Sequence, residues 1–387
     1  MSDYSFDDIA VRRGTRCFKW DAMKNEFGRD DLIPLWVADM DFRAPDFIRD
    51  AVVRRAEHGV YGYGIRDAEF WNAVIGWERR RNGWNIERRW LDFTPGVVAG
   101  FSFAIRAFSR EGGRVVIMPP VYPPFAAQIE ANGRKTVNNP LLHTPDGWRI
   151  DFEGLDRALE GADAILLCNP HNPTGRVFTS DELERVGELC VKHNVFIISD
   201  EIHSDLIQKP YRHVHIAALS DSLARRTLTF IAPTKTFNIA GLSTSIAIAP
   251  DAEVRSRMAA ELARTHVDQG NVFGTAALTA AYSQGDRWLD ALIEYVGGNM
   301  RMVSEFFARR LPQVEAPVSE GTYLMWLDFR KTGMPHAEIV RRLTDCARVG
   351  LNNGLAFGAE GEGFVRMNTA TSRALLSEAL ERIAAVF

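Results

Sequence analysis

The sequence predicts an α/β protein in which a large domain, built on a mostly parallel sheet flanked by helices, is joined to a smaller α+β domain. Three observations carry that expectation. Short, almost wholly apolar runs recur through the middle of the chain, and helical patterns separate them. At 387 residues the chain also exceeds the roughly 250 to 300 at which single cores stop growing. Runs that are apolar throughout, rather than alternating, belong to strands buried on both faces.

Taken in chain order, the first 45 or so residues end near WVADMDF (Trp36 to Phe42), which reads as an extended segment leading into the first helix. They are expected to pack with the small domain. The large domain is expected over residues 46–285. Within it TPGVVAGFSFAIRAF reads as a turn at Gly96 and a helix opened by Val97 and Val98. RVVIM (Arg114 to Met118), AILLC (Ala164 to Cys168), VFIIS (Val195 to Ser199) and TLTFIA (Thr227 to Ala232) read as strands. Between the second and third lies TSDELERVGELCVKHN, where Thr179 and Glu182 have capping-box spacing and Leu183, Val186, Leu189 and Cys190 form a helical stripe. Strand, helix, strand in this rhythm makes a parallel sheet with helices on both sides. After about residue 285 the pattern becomes amphipathic helices with short strands, TYLMWLDF (Thr322 to Phe329) and GFVRMN (Gly363 to Asn368). Residues 1–45 and 286–387 are therefore assigned to the small domain.

Composition narrows the function classes. With 46 basic and 50 acidic residues the net charge is −4, which gives no reason to invoke nucleic acid or an anionic membrane as a partner. Arg12 with Arg13, and Arg79 to Arg81, read as solvated helix faces. Four scattered cysteines, with no CxxC and no His at metal-ligand spacing, predict neither a disulfide framework nor structural zinc. The N-terminus MSDYSFDDIA is charged where a signal peptide is apolar, and no run approaches the roughly 20 apolar residues of a membrane span. A cytoplasmic protein is expected.

In sheets of this kind ligands bind outside the carboxyl ends of the strands. Three candidate residues fall there: Asn172 after AILLC, Asp200 at the end of VFIIS, and Lys235 after TLTFIA. A lysine by default is a solvated surface residue. Here it is flanked by strand-like runs and lies downstream of an acid, as pyridoxal 5′-phosphate requires: an amine for the Schiff base and a carboxylate that keeps the ring nitrogen protonated. Asn172 can donate an amide hydrogen to the phenolic oxygen, although Asn-Pro is also a plain turn signal. Gly96, Val97 and Val98 offer backbone N–H groups at a helix start to the phosphate, and Thr234 can add a hydroxyl. Tyr122, in PPVYPPF, is placed either to stack on the ring or to serve as a core residue. Arg366 matches a substrate carboxylate bidentately or forms a structural ion pair. Glu201 is expected to point away from Asp200 as a helix-start or salt-bridge acid. No metal is expected.

WVADMDF, GVYGYG, TPGVV, PPVYPPF, NPHNPTGRVF, SDEIHSDL, PTKTFNIAGL and GFVRMN occur in order from end to end. In them the chain resembles the fold-type I pyridoxal phosphate enzymes of the class I/II aminotransferase superfamily, and more narrowly their MalY/PatB group of cystathionine β-lyases. The resemblance implies Lys235 as Schiff-base lysine, Asp200 at the ring nitrogen, Asn172 at the phenolic oxygen, Tyr122 over the ring and Arg366, with Asn172, at the substrate carboxylate. It also implies a homodimer with active sites near the subunit interface, in which Tyr63 of GVYGYG reaches the neighbouring subunit's phosphate. Two departures from the aminotransferase pattern favour a lyase. Ser243 stands eight residues after the lysine, where transaminases carry a phosphate-binding arginine, and His203 stands three after Asp200, where they commonly carry tyrosine.

The implied reaction is β-elimination from a sulfur amino acid such as cystathionine, giving pyruvate, ammonia and a thiol. Lys235 would take the Cα proton, and either Lys235 or Tyr122 would protonate the departing sulfur. Amino transfer is the alternative. A second alternative is a regulator-binding protein with secondary lyase activity, because some members of the group are linked to a transcription regulator.

Overall fold

Seven strands form the central sheet of the computed structural model, which describes residues 4–267 and 269–387; the first three residues of the N-terminal segment lie outside it. In chain order the strands are β1 (Leu91–Thr94), β2 (Arg114–Ile117), β3 (Lys135–Asn138), β4 (Ala164–Cys168), β5 (Phe196–Asp200), β6 (Thr227–Ile231) and β7 (Ser245–Ile248). Their spatial order is β1-β7-β6-β5-β4-β2-β3. β2 to β6 are all mutually parallel, whereas β7 runs antiparallel to both β6 and β1. The four strands read from the sequence are all present. Their apolar character follows from burial on both faces: every residue of β4 and β6 is buried.

One face of the sheet packs on the helices Val97–Phe108 and Ala252–Thr265. The other packs on Ser180–Lys192, which opens with the expected capping box between Thr179 and Glu182. Of its stripe, Leu183, Val186 and Cys190 are fully buried and Leu189 is partly buried. Side chains alternate along β5, so Ile198 joins the first layer and Ile197 the second. The same alternation turns Asp200 and Glu201 to opposite sides of the sheet.

Glu201 is buried in a polar cluster. It accepts hydrogen bonds from Ser199 Oγ (2.7 Å), His213 Nε2 (2.7 Å) and His215 Nδ1. His215 Nε2 lies 3.0 Å from Glu78 Oε2. Burial opposes the charge on His215, but the Glu201 and Glu78 carboxylates push its pKa up to about 10 and keep it an imidazolium. Glu201, His213 and His215 each bring one ligand atom within 4.8 Å of the others; the sequence shows this grouping only in part, as His213 and His215 two residues apart, against the expectation of no His at metal-ligand spacing. The 2.7 Å between Glu201 and His213 is a hydrogen-bond distance. Two ligands of one tetrahedral metal, each about 2.0 to 2.1 Å from it, would sit roughly 3.3 Å apart. The cluster is therefore a hydrogen-bonded ion network, and Glu201 is the salt-bridge acid expected.

Beyond the helix Asp286–Arg310, a three-stranded antiparallel sheet places Phe364–Asn368 between Leu324–Asp328 and Asn352–Asn353. The N-terminal segment joins this part of the molecule, because Ile33–Pro34 pairs with Val349–Gly350 in parallel. Two expectations for the N-terminal segment need correction. Residues 36–42 form a series of bends rather than an extended segment, and the helix they lead to, Asp46–Glu57, is preceded by the short helices Phe18–Asp21 and Met23–Phe27. Arg12 is not solvated either: it binds both Asp39 and Asp41, and Asp41 also takes the fully buried Lys19 at 2.9 Å. The charges balance within the group, which is what allows their burial.

Candidate active site

A cavity of about 310 Å³ opens at the carboxyl ends of β4, β5 and β6, and its walls include Asn172, Asp200 and Lys235. The three segments that topology sends to one crevice do converge. Lys235 lies on a single helical turn, Pro233–Thr236, directly after β6. Its Nζ donates to the Ala38 carbonyl at 2.6 Å. Burial lowers its pKa to about 8, with the Asp39 carboxylate opposing and the Arg366 guanidinium reinforcing the shift. An appreciable fraction of this amine is therefore neutral near physiological pH.

Asp200 is 5% exposed, and its Oδ1 accepts from the Ile202 N–H at 3.1 Å. Burial raises its pKa to about 7 despite that bond, and the neighbouring Glu201 charge adds to the rise. A buried carboxyl raised in this way would be matched by a cationic N–H donor placed in the cavity. Tyr122 also lines the cavity, partly buried, and its phenol is held protonated by burial and then by the Asp200 charge.

At the other end, Gly96 caps the helix Val97–Phe108 with φ 150°, a conformation that L side chains rarely adopt. Gly96, Val97, Val98, Thr234 and Ser243 all border the cavity there. A helix start with a bare glycine cap and flanking hydroxyls is a ready anion site.

His203, 3% exposed, lines the same cavity, and its buried Nδ1 has no hydrogen-bond partner among the described residues. Burial, then the positive charges of Lys235 and Arg366, push its pKa down to about 3, so it is neutral. An unpaired buried ring nitrogen facing a cavity calls for a polar group inside it. Taken together, the amine, the raised carboxyl, the anion cup and this orphaned nitrogen fit pyridoxal phosphate.

Arg366 occupies the central strand of the small sheet, in register with Trp326 on one side and Asn352 on the other. Its Nη1 donates to Asn172 Oδ1 and its Nη2 to the Trp36 carbonyl, both at 2.9 Å, while Nη2 also reaches Asn352 Oδ1. Nε is buried without a hydrogen-bond partner among the described residues. With its oxygen taken by Arg366, Asn172 has its Nδ2 left to serve an acceptor in the cavity. These bonds hold the guanidinium in one orientation beside the site. Arg366→Ala is expected to raise KM for α-carboxylate substrates by about 10- to 100-fold, the worth of a charge-assisted pair, while the visible absorbance of bound cofactor is retained. Equal loss of cofactor binding would show that Arg366 is only a strut.

Tyr63 is not brought to this cavity within its own chain. It is 96% exposed on a loop whose neighbours Val60, Tyr61 and Ile65 are exposed as well. Sequence reasoning missed the Ala38 carbonyl, Tyr323 and Cys168. Cys168 ends an apolar strand and lines the cavity, where burial pushes its thiol far up. The others act through backbone contacts or distant pairings that leave no local signature.

These features define a fold-type I aminotransferase-like enzyme, and comparison agrees: the chain belongs to the aminotransferase class I and II family, whose model matches residues 30–383. Within it the chain falls in the MalY/PatB group. It is 43% identical over 383 residues to cystathionine beta-lyase PatB of Bacillus subtilis, covering 98% of this chain and 99% of that protein. To protein MalY of Escherichia coli it is 33% identical over 380 residues, covering 97% and 96%. Among solved structures, cystalysin from Treponema denticola, described as containing a pyridoxal 5′-phosphate cofactor, superposes with a TM-score of 0.96 at 34% identity, covering 99% of this chain and 98% of that one.

Proposed function

We propose that the chain is a pyridoxal-phosphate-dependent carbon–sulfur β-lyase that cleaves cystathionine or a related S-substituted cysteine to pyruvate, ammonia and a thiol. The observation that carries this reading is the convergence of Lys235, Asp200 and Asn172 on one cavity, with Arg366 fixed behind Asn172. The names of its relatives, cystathionine beta-lyase among them, support the choice of reaction.

The bound cofactor would supply a sink for the electron pair left at Cα when its proton is removed. Asp200 would hold the proton on the ring nitrogen, the charge state its burial demands a partner for. Asn172 Nδ2 and His203 would face the phenolic edge, Tyr122 the ring, and Gly96, Val97, Val98 and Thr234 the phosphate. Arg366 would orient the substrate by its carboxylate. Lys235, neutral in part because it is buried, would accept the Cα proton, and Lys235 or Tyr122 would return a proton to the departing sulfur.

Ser243 in the cavity wall supports lyase over transaminase, since no arginine adds charge to the anion cup from that position. The exposed apolar loop around Tyr63 supports a homodimer in which this loop reaches the partner. Pairing of Ile33–Pro34 with Val349–Gly350 supports the division into 46–285 and 1–45 with 286–387. All four cysteines are free, which supports a cytoplasmic location. Among the described residues no helix is long and apolar enough to cross a membrane.

The direct test incubates holoenzyme with L-cystathionine. Stoichiometric pyruvate and homocysteine are expected, with turnover independent of added 2-oxoglutarate. Amino transfer to 2-oxoglutarate without pyruvate would establish the aminotransferase instead.

A further inference from the structure

The segment around Ala38 has no regular structure, yet it is pinned from several directions. Asn368 Nδ2 donates to the carbonyls of Val37 (2.6 Å) and Asp39 (2.5 Å). Asn238 donates to those of Met40 (2.9 Å) and Phe42 (2.8 Å) and accepts from the Met40 N–H. Arg12 holds Asp39 and Asp41, and Arg366 holds the Trp36 carbonyl. In the middle, the Ala38 carbonyl accepts two donors: Lys235 Nζ at 2.6 Å and the Tyr323 hydroxyl at 2.8 Å. Tyr323 is fully buried, and its ring meets His203 edge to face at 6.1 Å. Buried and next to the Asp39 carboxylate, its phenol stays protonated and so remains a donor.

We propose that Tyr323 is a positioning residue for the amine of Lys235, acting through the Ala38 carbonyl that both groups share. The inference rests on reading Lys235 as the group that takes the Cα proton. A neutral amine has two N–H bonds and one lone pair. With one N–H spent on Ala38, rotation about the Cε–Nζ bond is restricted and the lone pair is turned off the carbonyl, toward the cavity. Transfer then breaks the substrate C–H bond and forms a third N–H, while the electron pair stays with the substrate. The ammonium keeps its bond to Ala38, and a different proton is the one returned to the leaving sulfur. Tyr323 enters by fixing the carbonyl: its hydroxyl proton is committed to that oxygen, so it sets a direction and carries no proton itself.

The test is Tyr323→Phe, which keeps the ring and removes the hydroxyl. Holoenzyme visible absorbance should be retained, and kcat for pyruvate release should fall about tenfold through loss of orientation. The deciding readout is the isotope effect on kcat with L-cystathionine deuterated at Cα of the cleaved half. It should increase, because a misdirected amine makes proton removal more rate-limiting. A merely structural role would lower thermal stability and leave the isotope effect where it was. Asn368→Ala releases the flanking Val37 and Asp39 carbonyls, loosening the segment that carries the Ala38 carbonyl, and should raise the isotope effect too; it decides the matter if Tyr323→Phe does not fold. An unchanged isotope effect, or loss of the visible band in Tyr323→Phe, overturns the proposal. Failure of the underlying reading shows separately, as a Lys235→Ala enzyme that still turns over.

Discussion

Lys235→Ala is expected to abolish the visible absorbance of the holoenzyme and to lower kcat/KM for pyruvate release by about 10⁴-fold or more, since the proposed function asks one amine both to bond the cofactor and to move a proton. The two losses have one physical origin. A primary amine is nucleophilic and basic only when neutral, and burial at the end of β6 brings the Lys235 pKa down to about 8. Lys235→Arg sharpens the result, because a guanidinium is cationic at every accessible pH and can do neither job. An unchanged visible spectrum in Lys235→Ala, recorded with purified protein after incubation with pyridoxal phosphate and removal of the unbound cofactor, would remove Lys235 from the site.

Asp200→Asn should separate function from stability. Activity is expected to fall by about 10²- to 10³-fold, the scale of losing one preorganised charge partner. Stability of the cofactor-free protein should move the other way. The folded pKa of about 7 lies above the ordinary 3.8, so the folded chain binds the Asp200 proton more tightly than the unfolded chain. That contribution is complete below pH 3.8, declines as pH rises, and is gone above pH 7, where an ionised carboxylate lies buried without a cationic partner. Asparagine removes the cost. At pH 8 the variant apoprotein should therefore be more stable by on the order of 2 to 4 kcal/mol, and the gain should vanish toward pH 4. Denaturant melts at the two pH values check the sign, and added pyridoxal phosphate should stabilise the parent more than the variant.

The parts of the fold visible in the sequence are those with a local cause. β4 and β6 are apolar because both faces are covered, and Thr179 with Glu182 marks a helix start because two side chains satisfy two backbone donors. Lys235, Asp200 and Asn172 could be read because a parallel sheet delivers its strand ends to one edge whatever the loops do. The reversed direction of β7 left no such trace, as its residues look like those of any buried strand. Nor could Arg12 be told from a solvated arginine, since its partners are Asp39 and Asp41 across a fold not yet built. The Ala38 carbonyl was further out of reach: every residue has one, and only tertiary structure decides which is used.

The pins on the Ala38 segment also bear on how the molecule comes into being on the ribosome. Asn368 and Asp39 are joined across 329 residues of chain, and Arg366 and Trp36 across 330. Translation delivers N-terminal residues first, so Ala38 emerges long before the strand that will fix it. Until the strand Phe364–Asn368 is made, the nascent polypeptide has every element of the central sheet but lacks these pins on the Ala38 segment. Orientation of the Lys235 amine therefore waits on the strand Phe364–Asn368, and a chain stopped before that strand would lack both pins.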